Sequence, residues 1–313
     1  MKIGVVGCGQ VGSASAYACV MSGVGTELVL VDRNRDLAQA QAEDILHATP
    51  FSSSISVTSG DYSDLAGAGI VMIAAGVGQR PGETRLDLLK RNADLFADMI
   101  PTILKAAPGA ILLIATNPVD ILTHMVADIA VKVGHDRSRV IGSGTILDTA
   151  RFRALLAQHL GVSSHSVHGY VLGEHGDSEV LHWSGVSVGN MGLRDFAAQR
   201  STPVTQYVEE DIDDKVRRAA YRIIQGKGAT WYGIGAGMAR IARAIIGNEH
   251  AILTCCTPVE EVEGIKNVTI SLPQIIARQG IEKTIYPQLN AEEAAALKRS
   301  ASIIKDALNS LEV

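Results

Sequence analysis

Six residues, Gly7-Cys8-Gly9-Gln10-Val11-Gly12, constrain the fold of this chain more than any other stretch. The apolar run Ile3–Val6 leads into them and the alanine-rich run Ser13–Met21 leads out. Strand, glycine turn and helix therefore follow one another directly, the context in which GxGxxG has meaning. Gly7 permits a tight turn, Gly9 lets backbone approach a pyrophosphate, and Gly12 allows the helix to pack closely on the strand. The helix start adds free N–H groups and a positive dipole end. A second apolar run, Glu27–Val31, ends in Asp32, about 20 residues beyond the turn as a dinucleotide site requires. A carboxylate there can accept both ribose hydroxyls and repel a 2′-phosphate, which favours NAD over NADP. The competing reading of Asp32 is a helix N-cap before Arg33-Asn34-Arg35.

The pattern continues with Ile70–Ala75 and Ala110–Thr116, each ending in polar or glycine-rich residues, where ligands bind in an open α/β sheet. Between them Leu86–Ala107 reads as a helix with Leu89, Phe96, Ile100 and Ile103 near one face and a kink expected at Pro101. Val140-Ile141 is a shorter strand candidate. This alternation predicts an α/β chain: a Rossmann-type doubly wound parallel sheet over residues 1–143, then an α+β substrate-binding and catalytic domain over 144–313. The flexible joint is placed at Gly142-Ser143-Gly144. In the second half, Val167–Leu172 reads as one strand, Asp211–Gln225 as one long helix, and Tyr232–Ile246 as a helix. Within that last helix the small residues Gly235, Ala236 and Gly237 permit a close neighbour. Ala251–Cys255 and Val268–Leu272 are strand-like, and Ala291–Leu311 forms a closing helix.

Bulk properties exclude several classes. With 313 residues, 47% of them hydrophobic and 19% charged, the chain is globular and long enough for two domains. A net charge of −5 without a lysine/arginine cluster gives no nucleic-acid footprint. The four cysteines, Cys8, Cys19, Cys255 and Cys256, form no CxxC pair, so no metal framework is expected and a reduced compartment fits best. The N-terminus enters a strand without a signal-peptide pattern, and no apolar stretch reaches the roughly 18–20 residues of a membrane span. A cytoplasmic location is the expectation, with no membrane partner.

Four polar clusters carry the candidate chemistry. Gly76 to Arg85 holds three glycines and a proline, a loop able to fold over a ligand, with Arg85 where the next helix begins. Thr116-Asn117-Pro118-Val119-Asp120 follows a strand; Asn117 could fix a substrate oxygen or a ribose, or simply form an Asn-Pro turn. Asp148 and Arg151 share a helix face at i, i+3. They are either a surface ion pair, or a carboxylate-gripping fork and a histidine-orienting acid. Gly173-Glu174-His175-Gly176-Asp177 places one histidine between glycines, as a catalytic acid/base or as a turn residue.

Taken in order, GCGQVG with Asp32, AGVGQRPGETR, TNPVD, LDTARFR, GEHGDSE and KGATWYGIG resemble the lactate/malate dehydrogenase family from residue 2 to about 305, and most closely its bacterial lactate branch. The resemblance implies hydride transfer between nicotinamide and a 2-hydroxy or 2-keto acid, pyruvate or L-lactate. In it His175 carries the proton, Asp148 orients His175, Arg151 grips the substrate carboxylate, and Arg85 polarises the carbonyl once residues 76–85 close. Asn117 completes the polar contacts. Gln79, where malate enzymes carry arginine, selects a monocarboxylate, and Thr230 also matches the lactate branch. Implied NAD contacts are Gly7, Gly9, Val11, Gly12, Asp32, Tyr62, Gly76, Val77, Ala115, Thr116, Asn117 and Ile234. Arg153 and His168 resemble the pair through which such enzymes bind fructose 1,6-bisphosphate at a subunit interface, which implies a homotetramer under allosteric activation.

Overall fold

The computed structural model describes residues 1–78, residue 82 and residues 85–311, the side chain of Arg85 excepted. The first part alternates β1 (Lys2–Val6), α1 (Gln10–Met21), β2 (Glu27–Val31), α2 (Arg35–Ala48), β3 (Ser56–Ser59), β4 (Ala68–Ile73), α3 (Arg85–Ala106), β5 (Ile111–Ile114), α4 (Val119–Lys132) and β6 (Val140–Gly142). These six strands are parallel in the spatial order β6-β5-β4-β1-β2-β3. The order reverses between β1 and β4, the switch point at whose carboxyl edge open α/β sheets bind ligands. The fold is the α/β doubly wound sheet that the sequence pattern predicts.

Each strand is apolar throughout because both faces are covered. Val29, Val31, Val71, Ile73, Leu112 and Ile114 point to a core shared with Phe96 and Ile100 of α3 and Val126 of α4. Their neighbours Leu28, Leu30, Ile70, Met72, Ile111 and Leu113 point to a second core with Ala16 and Val20 of α1. Burying each such Ile, Leu or Val contributes about 1.5–3 kcal/mol.

The rest begins with α5 (Ile146–Leu160) and short strands β7 (Val167–His168), β8 (Val171–Leu172), β9 (Val180–Leu181), β10 (Ser187–Val188) and β11 (Met191–Gly192). It continues through α6 (Leu193–Arg200), α7 (Gln206–Arg217), α8 (Ala219–Lys227) and α9 (Tyr232–Gly247). It ends with β12 (Ala251–Val262), β13 (Ile265–Ala277), β14 (Gly280–Thr284) and α10 (Ala291–Asn309). Strands β12–β14 extend the parallel sheet: Cys256 of β12 pairs antiparallel with Gly142 of β6, giving a nine-stranded sheet. Helix α9 returns to cover it, with Met238, Ile241 and Ile245 in the α1-side core. A Cβ on Gly235 would lie 2.8 Å from the Ala14 backbone, so the α1–α9 crossing depends on that glycine, as the small-residue run suggests.

Four elements differ from the sequence expectation. Val167–Leu172 is two strands, β7 pairing with β10 and β8 with β9. The chain changes sheets at Gly169, buried against Phe152 and Val186. The long helix expected over Asp211–Gln225 is interrupted at Arg218, between α7 and α8. Strands β12 and β13 run far beyond the apolar segments read from sequence. Among the described residues, no helix is long and apolar enough to cross a membrane.

Candidate active site

The glycine turn after β1 is held from outside. The Cys8 N–H donates to Asp32 Oδ2 at 2.7 Å, and Asp32 Oδ1 accepts from the Asn34 N–H at 2.8 Å. The N-cap of α2 is Asn34, whose side chain accepts from the Leu37 N–H, so Asp32 is not the cap. Gly7 has φ +93°, and a Cβ there would strike the Ala75 backbone; a Cβ on Gly12 would strike the Gly7 carbonyl. A Cβ on Gly9 would meet nothing within 4 Å, so that backbone faces open space at the start of α1. This is the cradle a pyrophosphate requires, and these residues fit NAD. Tyr62 lies near Asp32: burial, then the Asp32 charge, raises its phenol pKa.

The ends of β4 and β5 are tied together above the sheet. Thr116 Oγ1 donates to the Ala75 carbonyl at 2.7 Å, and a Cβ on Gly76 would lie 2.7 Å from the Thr116 methyl. The Val77 N–H donates to Asn92 Oδ1 at 2.9 Å, and Asn92 is 2% exposed. The mobile-loop reading begins here, but Gln79 and the Arg85 side chain lie outside the described residues. Asn117, exposed, joins Pro118 through a cis peptide bond.

The His175 loop is fixed by three successive backbone N–H groups, each held by a different element. Gly173 N–H and carbonyl exchange bonds of 3.0 Å with Ser271 of β13. The Glu174 N–H donates to Ser300 Oγ of α10 at 2.8 Å, and the His175 N–H to Asp120 Oδ2 of α4 at 2.8 Å. Gly173 sits at φ +93°, where a Cβ would lie 2.6 Å from Ser300 Oγ.

Asp148, on the first turn of α5, is 2% exposed, so a surface ion pair is excluded. Its Oδ1 accepts from Arg151 Nη1 at 2.7 Å, and its Oδ2 pairs with His175 Nδ1 at 2.6 Å. Among the described residues His175 Nε2 has no hydrogen-bond partner, so it can exchange a proton elsewhere. Burial alone would raise the Asp148 carboxyl, but the His175 charge and hydrogen bond, then Arg151, hold it below the usual carboxylate range. Burial alone would lower His175; Asp148 by charge and hydrogen bond, then Asp120 and Glu179, push it up to about 9. The imidazole is therefore a cation at neutral pH, able to donate a proton.

A cavity of about 310 Å³ joins these parts. Val11, Ala115, Thr116 and Asn117 line it from the nucleotide side, and Arg151, His175, Thr230 and Ile234 from the other. Gly7, Gly9, Gly12, Asp32, Tyr62, Gly76 and Val77 stand outside its lining. Arg153 and His168 also stand apart from it: Arg153 Nε donates to the Gly169 carbonyl at 2.8 Å, its guanidinium lies 5.1 Å from the Tyr170 ring, and His168 is exposed.

Three residues of the site escape a reading of the sequence alone. Asp120 is part of TNPVD, but nothing local shows that it supports the histidine loop; burial pushes its carboxyl up to about 6 against the His175 bond. Asn92 left a signal, a polar residue three after Leu89 and four before Phe96 on the buried stripe of α3. Glu179 closes GEHGDSE and is 4% exposed; burial, then the Asp148 charge, pushes it up to about 8, against Arg217, His175 and Arg151.

A dinucleotide cradle beside a cavity in which Val11 of its helix faces a charged, buried acid–base couple is the arrangement of an NAD-dependent oxidoreductase. The chain belongs to the lactate/malate dehydrogenase family: residues 1–142 match the lactate/malate dehydrogenase NAD binding domain, and residues 145–312 the alpha/beta C-terminal domain. It is 60% identical over 311 residues to L-lactate dehydrogenase of Thermus aquaticus, covering 99% of each chain. It is 56% identical over 307 residues to that of Allorhizobium ampelinum, covering 98% of each. Among solved structures, a lactate dehydrogenase from a Medee basin deep-sea metagenome library superposes with a TM-score of 0.95 at 40% identity, covering 100% of this chain and 99% of that one. The family's members are NAD-dependent oxidoreductases of 2-hydroxy acids, and NAD is the cofactor.

Proposed function

We propose that this chain is an L-lactate dehydrogenase that interconverts pyruvate and L-lactate, with residues 1–143 holding NAD and residues 144–313 carrying most of the substrate chemistry. The observation that carries the reading is the His175–Asp148–Arg151 network opening into the NAD-side cavity. The names of the relatives support the choice of lactate. When bound, NADH supplies a hydride to the keto carbon. The chain's own residues supply the rest. Arg151, 17% exposed and braced by Asp148, offers its remaining N–H groups to the substrate carboxylate. His175 donates the Nε2 proton to the carbonyl oxygen, and Asp148 stabilises the imidazolium and fixes its ring. Arg85 is assigned to polarise the carbonyl, Asn117 to the polar contacts and Thr230 to the cavity wall; Gln79 is assigned to exclude a second carboxylate, which would be costly to bury without a cation. In the oxidation direction the same His175, once neutral, accepts the hydroxyl proton.

The test is NADH oxidation with pyruvate against oxaloacetate. A preference for oxaloacetate in the native enzyme overturns the lactate reading, and an unchanged ratio in Gln79→Arg overturns the selector role. Arg153 and His168 are further proposed to bind fructose 1,6-bisphosphate between copies of a homotetramer in the cytoplasm. Their supporting feature is proximity: the Gly169 carbonyl that Arg153 holds adjoins exposed His168. Half-saturation for pyruvate that does not respond to fructose 1,6-bisphosphate would count against this assignment.

A further inference from the structure

The cluster around His175 contains one ionisable group that the acid–base couple does not engage by a hydrogen bond. Glu179 immediately precedes β9, is 4% exposed, and among the described residues has its buried Oε1 without a hydrogen-bond partner. Its backbone is held on both sides: the N–H donates to the Gly176 carbonyl at 3.1 Å, and the carbonyl accepts from Arg217 Nη1. The charged groups facing it are Asp148 and Arg151 from α5, Arg217 from α7 and His175 from its own loop.

None of the cations is committed to it. Among the described residues, Arg217 bonds the Asp213 carboxylate at 2.7 Å, the Asp177 carbonyl at 2.9 Å and the Glu179 carbonyl, but not the Glu179 carboxylate. Arg151 and His175 both bond Asp148 instead. A buried carboxyl beside an ionised carboxylate, with no hydrogen bond to its charged form, keeps its proton well above the range of a free acid.

We infer that Glu179 is a positioning residue for proton transfer: a buried carboxyl that stays neutral while His175 acts as an acid, and whose ionisation in alkaline solution holds the proton on His175. It acts through His175 and touches neither substrate nor cofactor. The electrostatics agree, since Glu179 ionises at about 8 and its charge is among those that raise His175 to about 9. As pH rises the first proton leaves Glu179, and the charge it leaves behind favours the imidazolium. The two groups therefore titrate as a coupled pair.

The inference rests on the proposed reading of His175 as the proton donor to pyruvate. Its test is the pH profile, from 6 to 10, of kcat/KM for pyruvate with NADH in Glu179→Gln and Glu179→Asp, alongside the affinity of the enzyme–NADH complex for oxamate. Glu179→Gln, neutral at every pH, should move the alkaline limb of both curves down by about half to one unit. The variant-to-native activity ratio then falls about three- to ten-fold between pH 6.5 and 9. Glu179→Asp, which can still ionise, should restore the limb. An unmoved limb, or a loss uniform across pH, overturns the inference and leaves Glu179 as packing. If Glu179→Gln does not fold, the native oxamate curve decides: a coupled pair titrates over a wider range than one site, and a single-site curve overturns the proposal. A native enzyme that fails to reduce pyruvate at any pH overturns the functional reading instead.

Discussion

Replacing Asp148 by Asn keeps the shape of the side chain and removes one charge from beneath His175. His175 titrates at about 9 against an ordinary 6.5. At about 1.4 kcal/mol per unit this is roughly 3 kcal/mol of preference for the imidazolium. The His175 side chain is 25% exposed, so solvent screening trims that figure to roughly 2–3 kcal/mol. Burial pulls the other way, so the charges supply the whole excess, and Asp148 is the largest of them. Without it the pKa should fall to about 6.5 or below, and at pH 7.5 the cation drops from nearly all of the enzyme to about a tenth. Loss of the bond that orients the ring costs at least another factor of about ten in proton transfer. Asp148→Asn should therefore lower kcat/KM for pyruvate roughly 100-fold at pH 7.5, with part of the rate recovered at pH 5.5. Steady-state NADH oxidation across pH 5.5–9.5 measures this, and NADH fluorescence checks that the cradle is intact. An alkaline limb that stays near pH 9, with the rate reduced by a constant factor, would refute the electrostatic account.

Asp32→Ala removes the acceptor that fixes the Cys8 and Asn34 N–H groups as well as the carboxylate proposed to face the ribose. NADH affinity should fall about ten-fold or more while NADPH gains relative to NADH, by fluorescence titration; equal losses for both would rule out the repulsion argument. Gly235→Ala places a Cβ 2.8 Å from the Ala14 backbone, where neither helix can yield by moving a side chain. It should cost about 1–3 kcal/mol in denaturant melts, and an unchanged midpoint would show that the crossing is not close-packed. Stability should also fall with rising pH. Glu179 is raised from 4.5 to about 8 and His175 from 6.5 to about 9, so the folded state binds protons that the unfolded state has released. The Glu179 part is lost between pH 4.5 and 8 and the His175 part between 6.5 and 9. Glu179→Gln should flatten the lower part of a Tm-against-pH curve, and an unchanged slope would contradict the burial of that carboxyl.

The nucleotide half was legible because its physics is local. Parallel strands covered on both faces must be apolar throughout, and a turn before a phosphate-binding helix must carry glycine where a Cβ would meet backbone, as at Gly7 and Gly12. Failures occur where tertiary contacts overrule the chain. The break at Arg218 has no glycine or proline to announce it; it lies between Arg217, which binds the Asp177 and Glu179 carbonyls, and Tyr221, which binds the Asp177 carboxylate. The outer halves of β12 and β13 carry Glu260, Glu261, Lys266 and Asn267, polar residues that hide a strand from an apolar scan. The hairpin between them turns at Glu263 and Gly264, with φ 47° and 81°, a less obvious turn signal than Asn-Gly. The split at Gly169 is of the same kind, since pairing with β10 on one side and β9 on the other is invisible locally.

The same division holds within the site. His175, Asp148 and Arg151 could be named from their motifs, but what makes the histidine a strong cation is a set of carboxyls from different elements, committed to different degrees. Asp148 gives both oxygens to cations and stays ionised. Asp120 gives one oxygen to the His175 N–H, lies beside the buried Cys256 thiol, and titrates at about 6. Glu179 receives no hydrogen bond at its buried Oε1 and holds its proton to about 8. As pH climbs, negative charge reaches His175 in steps, each delaying the loss of the imidazolium proton. The imidazole thus keeps its proton through the neutral range, the form that the proposed carbonyl reduction would use. Oxidation must begin from the neutral imidazole, a minority form until the pH approaches 9. A site with Asp148 alone would release that proton earlier: Asp120 extends the hold through the neutral range, and Glu179 adds to it only once it ionises at about 8.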